Sequence, residues 1–116
     1  MTQEERHLVL KDLCGRLMTD VIVTIEGESD RLYLNGGMLD LMWSGKVNYR
    51  PYLRPMSSMT EEEEDELNSA RMGNYGEDVD WLNAHHFDYR IDPSTGKTLI
   101  ESGLALEAPE DMYKTE

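Results

Sequence analysis

Cysteine is nearly absent: Cys14 is the one thiol in 116 residues. An internal disulfide is therefore excluded, as is a zinc site built on paired thiols, and this usage fits a reducing compartment. Long apolar runs are missing as well, and none approaches the roughly 20 residues needed to span a bilayer. The first residues, "MTQEERH", carry acids where a secretory leader needs basic residues, so the expected location is cytoplasmic, with no membrane contact. Positive charge is scarce: 11 Lys and Arg stand against 24 Asp and Glu, a net of −13. The deficit is lopsided. Met1 to Ser57 carries eight acids and seven bases, whereas Ser58 to Glu116 carries sixteen acids and four bases. A back half of this sign repels phosphate, which argues against direct nucleic-acid binding and leaves two readings, a basic protein partner or no partner and simple solubility.

What is present is a foldable composition, 39% hydrophobic and 30% charged, in a length that makes one ordinary domain. The expected architecture is α+β over residues 1–116: a helix plus a β-rich part in 1–57, then an acidic helical part in 58–116. Thr2 and Glu5 have capping-box spacing, and Leu10, Leu13, Cys14 and Leu17 recur at helical intervals, which predicts a leading helix with Cys14 on its apolar side. "VIVTIEG" is a β-branched strand, "RLYL" a second, and "NGG" (Asn35 to Gly37) reads as a hairpin turn. "MLDLMW" and "KVNYRPYL" complete four antiparallel strands over about residues 20–54, a small sheet or partly open barrel, with Pro51 placing the last at an edge or interrupting it.

The period changes at "RPMSSMTEEEEDEL", where Ser58/Glu61 or Thr60/Glu63 supplies a second capping box and only Met59, Leu67 and Ala70 offer an apolar stripe. Asp78 can cap a further helix running to about Phe87. "DPSTGK" is a turn, "TLIESG" one helical turn closed by Gly103, and "LALEA" a final strand. Two or three helices should therefore pack on the sheet, with Trp81, Leu82, Phe87 and Tyr89 where they meet it.

Few motifs carry chemistry. "STGKT" ends like a phosphate-binding loop, but that loop needs a glycine where Ile91 stands. "LIESGLALE" resembles a winged-helix step, yet no basic recognition helix precedes it. No serine sits in a nucleophile elbow. In "DWLNAHHFDYR" the adjacent His85 and His86 would point about 100° apart on a helix and cannot share a metal, although Asp88 lies three residues from His85. Neither a metal nor a cofactor is expected, and no catalytic residue is assigned. The run Glu61, Glu62, Glu63, Glu64, Asp65, Glu66, continued by Glu77, Asp78 and Asp80, exceeds what helix capping needs and is the candidate partner-binding face. Trp81, His85, His86, Asp88 and Tyr89 form the secondary candidate cluster.

Three stretches, "PYLRPMSSMTEEE", "DWLNAHHFDYR" and "LIESGLALEAPEDMY", together resemble a family of small proteins of Bacteroides-type gut phages and prophages. This chain departs from the family wording at "IDPSTGK", which looks like an insertion in a surface loop. The family brings no activity, cofactor or site residue, only a context inside a bacterial host. The resulting expectation is a non-enzymatic, acidic phage-type protein that inhibits a basic nucleic-acid-handling or host-defence protein, such as a CRISPR nuclease, by nucleic-acid mimicry. The alternatives are a small metal- or ligand-binding protein or enzyme using His85, His86, Asp88 and Tyr89, and a phage assembly or scaffold component.

Overall fold

The computed structural model describes residues 1–73, 76–109 and 112–113. Helix α1 (Gln3–Arg16) starts at the expected box: the Glu5 amide donates to Thr2 Oγ1 and the Thr2 amide to Glu5 Oε1. Its inward stripe is Val9, Asp12, Leu13 and Arg16, so two charged residues lie where the apolar pattern alone would not put them. Cys14 is exposed. It stands two positions from Asp12 and so turns away from that stripe, which corrects its assignment to the core.

Strands β1 (Ile22–Ile25) and β2 (Leu32–Tyr33) pair antiparallel as expected. "NGG" is not a hairpin. Asn35 is the N-cap of helix α2 (Gly36–Trp43), its Oδ1 accepting from the Met38 amide at 3.0 Å. Asn serves caps and turns equally well, and an unbroken apolar run cannot tell strand from helix. Here Met38, Leu39 and Met42, spaced for one helix face, pack on the core, so "MLDLMW" is α2 and not a strand.

Strand β3 (Tyr49–Pro55) is the centre of the sheet, not its edge. It runs antiparallel to β1, with Val23 opposite Pro51, and parallel to both β4 (Phe87–Asp88) and β5 (Leu106–Glu107). The sheet is therefore mixed, five-stranded and open. Pro51 fits because of the alternation. The Asn48 carbonyl accepts from the Glu26 amide, so even-numbered residues of this segment address β1 and Pro51 falls where no ladder donor is needed. By the same alternation the Arg54 amide, which donates to the His86 carbonyl, lies on the β1 side, while the Leu53 carbonyl, which accepts from Ala108, lies on the other. Strands β1 and β4 thus follow one another along one edge of β3, and β5 lines the opposite edge.

Odd-numbered residues Val21, Val23, Tyr49 and Leu53 face α1 and α2, and they share one core with Leu99, Leu104 and Ala105 from the back half. Even-numbered Ile22 and Tyr52 face the other way, onto Leu106, Ala108, Met112 and Tyr113. Helices α3 (Glu61–Arg71) and α4 (Glu77–Ala84) pack on each other and close over Phe87 of β4 through Leu67 and Leu82, flanked by Met59, Trp81 and Tyr89. The aromatic group expected at the helix–sheet junction is there. The cap of α4 is Gly76, with φ of 90°, so Asp78 sits inside the first turn. The helix ends at Ala84 instead of running to Phe87. No helix among the described residues is long and apolar enough to cross a membrane.

Candidate functional site

Helix α3 places the acidic run. Thr60 and Glu63 form its capping box, and Glu63 is also gripped from the sheet: both Arg54 Nη atoms donate to its carboxylate at 2.7 Å. That fork, ahead of the burial that opposes it, holds the Glu63 carboxyl down at about 2. Arg54 in turn lies 4.2 Å above the Phe87 ring. Glu63 is therefore a structural strut, and it leaves the set of carboxylates open to a partner. The others remain. Glu61, Glu62, Glu64, Asp65, Glu66, Glu77 and Asp80 are exposed, and among the described residues none has an Arg or Lys within ion-pair distance. At about 100° per residue the α3 carboxylates wrap the helix. Relative to the inward Glu63–Leu67–Ala70 line, Glu64 lies on one flank, Glu62 and Glu66 on the other, and Glu61 and Asp65 nearly opposite. The charge forms a ridge, not a flat face. Asp78 is half-buried and accepts from the Val79 amide, so it contributes less.

The stretch "DWLNAHHFDYR" comes apart into four environments. Trp81 and His85 do share a face: their rings stack at 4.1 Å, and Trp81 Nε1 donates to Glu66 Oε2 at 3.3 Å. His86 follows the helix with φ of 64°, a conformation rare outside glycine, and this turns the chain from α4 into β4. The residue is 8% exposed, its ring stacks on Tyr113 at 3.7 Å, and its Nδ1 has no hydrogen-bond partner among the described residues. Burial, reinforced by Arg16, His85 and Arg54, pushes its titration down to about 4. Asp88 turns inward, accepting from the Leu99 and Ile100 amides, and burial raises its pKa. Tyr89 donates to Asn83 Oδ1, and the Arg16 and Arg90 guanidinium carbons stand 5.2 and 5.6 Å from its ring centroid. The four residues of the proposed ligand cluster thus do not converge on one ligand. Among the described residues no group of three or more His, Cys, Asp or Glu is placed to hold a metal.

Sequence reasoning missed two arrangements. The first is a buried network: Asp12 accepts from Arg16 Nε at 2.8 Å and from Arg90 Nε at 3.2 Å, and Arg16 also donates to the Phe87 carbonyl, tying α1 to β4. The i, i+4 spacing of Asp12 and Arg16 was the available signal. The second lies at the sheet fork. The β1–β3 register ends at Val23 opposite Pro51, and one step further along Ile22 and Tyr52 are not paired. The Tyr113 hydroxyl occupies the gap between them, accepting from the Ile22 amide at 2.9 Å and donating to the Tyr52 carbonyl at 2.6 Å. Nothing local in "DMYKTE" announces this.

Comparison with family models, with curated proteins and with solved structures finds no match for this chain.

Proposed function

We propose that the protein is a non-enzymatic, phage-type binding protein whose acidic α3–α4 hairpin docks in the basic groove of a host nucleic-acid-handling or defence protein, such as a CRISPR nuclease, and excludes the nucleic acid from it. The observation that carries this reading is the charge spacing along α3. With Glu63 consumed by Arg54, five carboxylates (Glu61, Glu62, Glu64, Asp65 and Glu66) remain over six residues. At about 1.5 Å per residue that is one charge per ~1.8 Å of axis, against one per about 1.7 Å in duplex DNA. Glu77 and Asp80 extend the charge onto the neighbouring helix. A groove lined with Lys and Arg to follow a phosphate backbone meets a comparable field here, on a scaffold that cannot be cleaved as a polynucleotide. Long-range attraction of this sort speeds association and fades with salt.

The test is affinity capture from a bacterial host lysate, followed by binding measurements on the captured protein. Wild type is expected to retain a basic nucleic-acid-handling protein and to compete with duplex or guide nucleic acid for it. The triple variant Glu64→Lys, Asp65→Lys, Asp80→Lys leaves both caps intact and should lose this binding. Raising salt from about 50 to 200 mM should weaken the wild-type complex and slow its association, because screening shortens the reach of these charges. Affinity indifferent to both the charge reversal and the salt would overturn the reading.

A further inference from the structure

Helices α1 and α2 pack on each other, and between their outer surfaces runs a groove of about 370 Å³ lined by these two helices alone among the described residues. From α1 come His7, Leu10, Lys11 and Cys14, at the i, i+3, i+4 and i+7 spacing of a single helix face. From α2 come Leu39, Asp40 and Trp43. Leu10 and Leu39 are the apolar part of the lining. Trp43 is 73% exposed, and the His7 ring stacks against it at 5.9 Å. The indole therefore stays outside the core that α2 reaches through Met38, Leu39 and Met42. Lys11 and Asp40 stand on opposite walls, both exposed, and neither has an ion-pair partner among the described residues. The groove shares no residue with the acidic ridge of α3 and α4.

We propose that this groove is a self-association site: a second copy of the chain docks its own α1–α2 face there about a two-fold axis, each Trp43 entering the opposite groove and each Lys11 meeting the Asp40 of the other copy. Charge selects this occupant. At −13 apiece two copies repel, but the excess lies in residues 58–116, while the Lys11 and Asp40 of the groove cancel. A basic partner would be drawn to the back half instead. An acidic partner would find one lysine set against one aspartate. One charge of each sign on opposite walls is complementary to itself, because a two-fold rotation carries each lysine to an aspartate, and an interface between like patches requires that property. Burying two largely exposed indoles supplies about 200–400 Å² of the roughly 1,200 Å² that a specific interface needs. The outer faces of both helix pairs, with the Lys11 stems, supply the rest. The stacked His7 already orders the indole, which lowers the entropy lost on association.

The experiment is sedimentation equilibrium on the full chain at rising concentration, up to about 1 mM, the weak end of specific association. Wild type should pass from 13.4 kDa to twice that mass. Trp43→Ala changes an exposed side chain that the core does not use, and should weaken the dimer by roughly thirtyfold or more. Lys11→Glu and Asp40→Lys should each be monomeric where wild type is dimeric, since either one sets like charges together at two places. Mixed in equal amounts, these two variants should form a dimer with each other, because every rim contact of the mixed pair again joins opposite charges. Cys14, the one thiol of the chain, lines the groove and reports its cover. Its alkylation rate should fall as wild-type concentration rises and stay constant in Trp43→Ala. A 13.4 kDa species throughout would overturn the proposal and leave the groove to a partner of different chemistry. So would a dimer that Trp43→Ala leaves intact, charge variants that stay monomeric on mixing, or Cys14 alkylation indifferent to concentration.

Discussion

His86 concentrates the tension at the residue scale: left-handed, buried, stacked and, among the described residues, lacking a partner at Nδ1. Its titration near 4 lies below the ordinary 6.5 because burial and the neighbouring Arg16, His85 and Arg54 all disfavour its cation. Between these values the unfolded chain binds a proton that the folded chain does not, so stability must rise with pH across that window. Unfolding free energy should therefore fall as pH drops from 6.5 toward 4, by up to about 3 kcal/mol for a shift of this size. His86→Asn tolerates the same backbone and cannot titrate, so denaturant titrations of that variant should lose this slope. Glu63 acts lower down. With its carboxyl at about 2, the part of stability drawn from Arg54 is present above 4.5 and lost from there downward. The Asp12–Arg16 pair is wholly buried, and Asp12→Ala would strand the Arg16 guanidinium in the interior. A loss of about 3–5 kcal/mol is expected, read as a drop in the denaturant midpoint, whereas replacing both residues by apolar ones of similar volume should cost far less.

Secondary structure was legible at the scale of elements where side chains act on their own neighbours. The Thr2/Glu5 and Thr60/Glu63 boxes set the starts of α1 and α3 because the partners lie three residues apart. The β-branched run "VIVTI" set β1, a strand with both of its faces buried. Legibility failed where distant residues decide. α2 is a helix because its apolar side meets α1 and the sheet, which nothing within "NGGMLDLMW" could reveal. The end of α4 was invisible because the left-handed residue that terminates it is His86, where glycine is the usual signal. The acidic candidates were legible as composition, but the loss of Glu63 to Arg54 required knowing that the end of β3 brings Arg54 to the first turn of α3. One local interaction at the corrected turn can be measured. Asn35→Ala removes the side-chain acceptor for the Met38 amide and should cost roughly 1 kcal/mol, and Asn35→Asp should be nearly neutral.

Across the whole molecule, the distribution of charge opposes the fold that carries it. Glu61/Asp65 and Glu62/Glu66 are like-charged i, i+4 neighbours on α3, each destabilising by about 0.2–0.5 kcal/mol, and no Arg or Lys among the described residues relieves them, His85 alone coming within 4.0 Å of Glu66. A surface evolved only for solubility would be free to intersperse lysines there. Asp65→Lys separates the two explanations. It removes one repulsion and sets a lysine four residues after Glu61, the favourable order for an ion pair, at a position clear of the cap. The free protein should gain about 0.5–1 kcal/mol, seen as a higher melting temperature. Added salt should also stabilise the free protein by screening the same repulsions. If the ridge docks on a basic groove, both changes must weaken the complex while strengthening the protein alone. Opposite signs from one substitution are what a surface under functional selection produces. A gain in stability with no loss of binding would reduce the acids of α3 to a solvated helix side.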